Sequence, residues 1–145
     1  MNLHRLLGQR LEAGRPVRVG LIGAGKFGSM FLAQIPSTHG IEVAAIADLF
    51  PDRARQACRN VGWPDELTEA TRFTDDAPAM LAAPDIEVVV EATGHAPAGI
   101  SHARRAIAEG KHVVMVPMCW PASHWRTRRR VPAWCIRWPM ATSQR

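Results

Sequence analysis

The stretch that decides the fold is Val17-Arg18-Val19-Gly20-Leu21-Ile22-Gly23-Ala24-Gly25-Lys26-Phe27-Gly28. Its first six residues are mostly β-branched or apolar and spell a buried strand, which Gly23 breaks. From Lys26 the apolar positions Phe27, Met30, Phe31 and Ile35 recur at helical spacing until Pro36. Between strand and helix lies G-x-G-x-x-G, a weak pattern alone but a specific one when a strand precedes it and it opens a helix. The glycines have separate tasks: Gly23 permits a tight turn, Gly25 lets the backbone approach a pyrophosphate, and Gly28 lets the helix pack closely on the sheet. Unpaired N–H groups at the helix start then face the phosphates, along the favourable end of the helix dipole.

Outward from this unit the chain alternates strands with helices. Leu3, Leu6, Leu7 and Leu11 predict a short amphipathic helix over 1–14, ended by Gly14 and Pro16. A second apolar strand over 41–47 ends in Asp48, and a helix over 52–58 follows, with Pro51 suited to its first turn. Trp63-Pro64-Asp65 predicts a turn, followed by a short helical piece, a strand over 71–73 and a short helix over 75–81. The run 86–91 predicts a strand. A helix over 97–109, closed by Gly110, is expected to turn Ile100, Ala103, Ile107 and Ala106 inward, and a last strand covers 112–116. Strands apolar on both faces, alternating with helices, specify a parallel sheet covered on each side. The expected fold is α/β, a Rossmann-type doubly wound parallel sheet of about five strands over residues 15–116, with an irregular tail over 117–145.

Asp48 ends the second strand, where a carboxylate can accept hydrogen bonds from both adenosine ribose hydroxyls. It would repel a 2′-phosphate, so NAD is favoured over NADP, although Arg53 and Arg55 could soften that preference. The competing role for Asp48 is a cap for the next helix. Thr93 and Gly94 follow the fourth strand, at the carboxyl edge where open α/β sheets bind ligands. The expected cofactor-binding set is Gly23, Gly25, Lys26, Phe27, Gly28, Asp48, Thr93 and Gly94, with solvation the plainer reading of Lys26. Glu91 is either a polar group of the site or a strand-end carboxylate. His95 and His102 are expected at the helix start and on the surface, and Cys58 in or near the core. No catalytic residue and no metal ligand is assigned.

The net charge of +5 is unevenly placed. Residues 117–145 hold six of the 18 Lys and Arg and none of the 13 acids, which leaves residues 1–116 at −1. A basic surface would suggest nucleic acid or an acidic membrane, but here the basicity sits in one segment without helical or strand periodicity. That segment also holds four of the five Trp and two of the three Cys. Such a composition suggests a GC-rich gene translated out of frame. Met and Trp have single codons, and Pro117-Met118-Cys119-Trp120-Pro121 read one nucleotide earlier permits Ala-Asp-Val-Leu-Ala. The expectation is a frameshift near Val116-Pro117. The competing reading is a genuine Trp-rich basic tail that binds nucleic acid or membrane. No apolar run approaches the roughly 20 residues of a membrane span, and no secretion signal is read at the start. Three cysteines without ligand spacing indicate neither a disulfide framework nor zinc. A cytoplasmic setting is therefore expected, with a dinucleotide as partner, neither specific nucleic acid nor membrane, and homo-oligomer formation left open.

The stretches VRVGLIGAGKFGSMFLAQIP, VAAIADLFPDRA, IEVVVEATG and AIAEGKHVVMV resemble the N-terminal domain of homoserine dehydrogenase-like oxidoreductases. Those are similar in turn to the glucose–fructose oxidoreductase and inositol dehydrogenase family. The nearest likeness is to a bacterial subgroup with a later SAF-type domain. The resemblance covers most of residues 15–116 and implies an NAD(P)-dependent oxidoreductase whose substrate is held largely by a second domain. That half is missing from the pattern, so no substrate site or catalytic lysine carries over. The expectation is a truncated cofactor-binding half-enzyme. The alternatives are a non-catalytic nucleotide-binding module and a non-functional fragment.

Overall fold

The computed structural model describes residues 2–116. Within them the elements run α1 (Leu3–Glu12), β1 (Val17–Ile22), α2 (Lys26–Gln34), β2 (Ile41–Ala47), α3 (Pro51–Asn60), α4 (Asp65–Ala70), β3 (Arg72–Thr74), α5 (Ala77–Ala82), β4 (Val88–Glu91), α6 (Ala96–Ala108) and β5 (His112–Met115). The strands form one parallel sheet in the order β3-β2-β1-β4-β5. Order reverses at β1, whose neighbours are β2 on one side and β4 on the other, as in a doubly wound Rossmann sheet. The expected fold class is the observed one. The tail reading falls on residues 117–145, outside the described part.

Each face of the sheet has its own core. Val19, Leu21, Val43, Ile46 and Val90 pack under α2 and α3 with Leu32, Ala54, Cys58 and Trp63. Ile22, Ala45, Ala47 and Val89 pack on the other face with Met80, Leu81, Ile86 and Ala106. Strand side chains alternate between faces, yet Val43 and Ile46 share one. The register explains this: Val19 pairs with Val43 but Gly20 with Ala45, so Ala44 is an extra residue that switches the parity of β2. Trp63 lies in the core, its indole N–H donating to the Leu32 carbonyl at 2.7 Å, which satisfies the one polar group that burial would otherwise strand.

Two helix faces differ from the sequence pattern. On α2 the buried residues are Gly28 and Leu32, while Phe27 and Met30 are more than half exposed. On α6 they are Gly99 and Ala106, while Ile100 and Ile107 are 59% and 66% exposed. Where each helix comes nearest the strand ends it does so through glycine, Gly28 on α2 and Gly99 on α6, while Leu32 further along α2 fills the core. β4 is also shorter than expected: Ile86 is buried and Glu87 N–H bonds the Arg18 carbonyl, but regular pairing starts at Val88.

Candidate functional site

The site lies at the carboxyl edge of the strands, around the loop from β1 to α2. Gly23 sits at φ +90°, and a Cβ there would stand 2.9 Å from the Thr93 backbone. A Cβ on Gly28 would collide with the Gly23 carbonyl oxygen, so this residue sets how near α2 lies to the turn. A Cβ on Gly25 would meet nothing within 4 Å. Gly25 caps α2 without any side-chain hydrogen bond to the helix's first turn. An uncapped helix start beneath open space fits an anionic diphosphate, for which it supplies both N–H donors and the positive end of a dipole. Lys26 and Phe27 begin the helix and are exposed.

Asp48 faces this loop from the end of β2. Its Oδ2 accepts from Ala24 N–H at 2.8 Å and its Oδ1 from Phe50 N–H at 3.0 Å. The side chain thus ties the glycine loop to the β2–α3 turn. It does not cap α3, whose own cap position is Phe50. A carboxylate has about four acceptor positions, and two of these remain for a ligand. Asp48 is also the shared wall of two clefts. One, of about 350 Å³, is lined by Ala24, Gly25, Arg53, Gln56 and Asn60 as well as Asp48. The other, of about 450 Å³, runs from Gly23 and Asp48 past Phe50 to Thr93, His95 and His102.

Arg53 lies in the first cleft, with its guanidinium carbon 5.3 Å from the centre of the Phe50 ring. Arg55 instead lies over Phe73, at 4.5 Å, and does not line that cleft. Thr93 lines the larger cleft, whereas Gly94, at φ +69°, turns the loop behind it. His95 is the N-cap of α6, accepting from Ala98 N–H at 3.3 Å, as expected of a helix start. His102 was expected on the surface, and that is corrected. Its side chain is 19% exposed, with Nδ1 3.5 Å from Glu91 Oε1. Glu91 itself is 3% exposed and accepts from the Thr93 hydroxyl and N–H. The signal for this cluster was available in the spacing: Gly99, His102 and Ala106 form one helical stripe that must face the acid-ended β4. Cys58 is fully buried, and desolvation pushes its thiol up to about 11, so it is inert packing. Among the described residues no three His, Cys, Asp or Glu gather as metal ligands, and no helix is long and apolar enough to cross a membrane.

Residues 17–125 match the model of the oxidoreductase family with an NAD-binding Rossmann fold. The chain belongs to that family. Among curated proteins, this family member is 34% identical to an inositol 2-dehydrogenase of Acidothermus cellulolyticus, over 71% of the chain and 28% of that protein. It is 32% identical to a glycosyl hydrolase family 109 protein of Saccharopolyspora erythraea, over 74% and 24%. Against a homoserine dehydrogenase of Neisseria gonorrhoeae it is 28% identical, over 69% and 23%. The chain therefore spans about a quarter of the length of the curated relatives it matches. Among solved structures it is similar to a 3-ketoreductase from Actinomadura kijaniata in complex with TDP-benzene and NADP. That likeness has TM-score 0.58 and 26% identity over 72% of this chain and 31% of the other. Myo-inositol dehydrogenase from Lactobacillus casei, in complex with NAD(H) and myo-inositol, shares the fold. Its TM-score is 0.59 at 24% identity, over 71% of this chain and 29% of that one.

Proposed function

We propose that residues 15–116 bind NAD(P) as the cofactor half of an oxidoreductase, with α1 as an N-terminal adjunct. The observation that carries this reading is the open space above Gly25 at an uncapped helix start, with Asp48 across from it. Gly23, Gly25, Lys26, Phe27 and Gly28 would hold the pyrophosphate, Asp48 the adenosine ribose, and Thr93 and Gly94 the far side. The dinucleotide, when bound, supplies hydride transfer. The chain's own residues bind it, orient it and keep its phosphates on backbone donors. The two free acceptor positions of Asp48 support NAD over NADP, and Arg53 in the adjoining cleft limits that preference. The relatives' printed names suggest a polyol or another small alcohol as substrate class. A homoserine dehydrogenase-like reaction is the narrower version, supported by the quoted stretches and by the Neisseria relative.

Calorimetry on the full chain tests the reading: NAD(H) should bind, and Gly25→Val should abolish binding while leaving the strands protected from hydrogen exchange. Unchanged affinity in the variant would remove the glycine loop from the site. The same proposal takes 117–145 as out-of-frame sequence, on its composition and its hidden reading frame. The family match extends past that junction to residue 125, so sequencing the gene across codons 110–125 decides it.

A further inference from the structure

Glu91 is an ionisable group that the glycine-loop reading leaves unused. It is 3% exposed at the end of β4, where a carboxylate is costly unless it is well supplied with donors. The helix opposite is shaped to receive it. A Cβ on Gly99 of α6 would stand 2.9 Å from Glu91 Oε2, so any larger residue here would push the carboxylate from its place. Glycine inside a helix is destabilising relative to alanine. One turn on, His102 places Nδ1 3.5 Å from Glu91 Oε1, the outer limit of a hydrogen bond. Thr93 adds its N–H at 3.3 Å and its hydroxyl. An alanine at position 91 would need none of these provisions.

A carboxylate only accepts hydrogen bonds, so a neutral His102 ring places its one N–H on the Nδ1 that faces Glu91. In that tautomer Nε2 is an acceptor, without a partner among the described residues, on a side chain that lines the larger cleft. Topology assigns its ligand. Asp48 ends β2 on one side of β1, while Glu91 and Thr93 follow β4 on the other. A dinucleotide laid across the reversal with its adenosine ribose at Asp48 has its second ribose on the β4 side. The geometry points to His102 Nε2 as the acceptor for a hydroxyl of that second ribose, with Glu91 a positioning residue that fixes the ring's tautomer. This rests on the dinucleotide reading above.

The test compares ADP, ADP-ribose and NAD as calorimetric ligands of the full chain, since only the last two carry the second ribose. His102→Ala should weaken ADP-ribose and NAD by about three- to tenfold, the worth of one neutral hydrogen bond, and leave ADP unchanged. Unchanged ADP affinity also shows that the variant is folded. His102→Gln, which keeps an acceptor near the Nε2 position, should recover part of the loss. Ring ¹⁵N spectra should show the Nδ1–H tautomer in the native chain and a shift toward Nε2–H in Glu91→Gln. Equal weakening of all three ligands, no weakening of ADP-ribose, or an Nε2–H ring in the native chain would overturn the assignment. A native chain that fails to bind even ADP would sink the dinucleotide reading itself, an outcome distinct from a variant that loses no selectivity.

Discussion

The two ends of the sheet are built on opposite principles. At the amino edge, charged side chains answer one another: Arg18 bridges Glu42 at 2.7 Å and Asp85 at 3.0 Å, Arg72 also holds Asp85, and Arg10 pairs with Glu87 at 2.8 Å. These contacts join the starts of β1, β2 and β3 to α1 and the turn before β4. At the carboxyl edge, glycine takes the place of side chains, a helix start is left uncapped, and the carboxylates Asp48 and Glu91 are held by N–H and hydroxyl donors of nearby loops, with the His102 ring at hydrogen-bonding limit. One edge closes its own hydrogen-bonding ledger, and the other leaves donors and acceptors for something else. The sparse edge is the one proposed above to take the ligand, and each variant below tries to break that division.

The largest effect should come from Gly28→Ala. Its methyl group would collide with the Gly23 carbonyl, a backbone atom that cannot rotate away. Overpacking of this kind costs about 3 kcal/mol or more where the backbone itself must shift. Gly25→Ala meets open space at an ordinary φ of −69° and should cost less than about 1 kcal/mol. Urea denaturation of the pair measures the difference. Equal loss in both would mean that Gly28 does not set the helix–sheet distance.

Next in size is Asp48→Ala, which should weaken NAD binding by about 1–3 kcal/mol if charge-assisted bonds to the ribose are lost. NADP affinity should fall less or rise, narrowing the preference. Calorimetry with both nucleotides checks this, and a native chain that already prefers NADP would remove Asp48 from its proposed role. The matching change at the other edge is Arg18→Met. Arg18 and its partners are each about a third exposed or more, so its loss should cost only about 1 kcal/mol of stability and leave nucleotide affinity untouched. A drop in affinity there would show that the edges are coupled.

Much of this division was legible in the residues. β1 and β2 have the expected bounds, 17–22 and 41–47, because central strands buried on both faces leave an unbroken apolar run. The tight turn at Gly23 and the close packing at Gly28 were legible too, and a Cβ on Gly25 between them would meet open space. The faces of α2 and α6 were legible only in part. Phe27, Met30, Ile100 and Ile107 were placed in the inward stripes and are exposed, whereas Gly28, Leu32 and Gly99 are buried, and Ala106 is buried as expected. The bulge at Ala44 has no signature in an all-apolar strand, because both parities look equally buried. His102 was misplaced for the same reason as the α6 face: once Gly99 and Ala106 turn inward, the histidine between them goes with them.

The smallest expected effect is a pH dependence belonging to the amino edge. The hydrogen bond from Arg10 holds the Glu87 carboxyl below its ordinary value, against an opposing pull from desolvation. For Asp85 desolvation pulls upward, but hydrogen bonds from Arg72 and Arg18 outweigh it and the net shift is again downward. A carboxyl depressed in the folded state binds its proton more readily when unfolded. Its contribution is therefore complete above the unfolded value, about 4 for both residue types, and is lost as pH falls through the folded value. Both carboxylates are partly exposed, so solvent and salt screen the effect and it should shrink in high salt. Urea midpoints measured from pH 7 to pH 3 should fall at the acid end in the native chain, and less steeply in Glu87→Gln. Nucleotide affinity at pH 7 should be the same in both, because Glu87 stands at the edge opposite the glycine loop. Identical acid slopes would mean that the Arg10–Glu87 pair persists in the unfolded chain or does not form in the folded one.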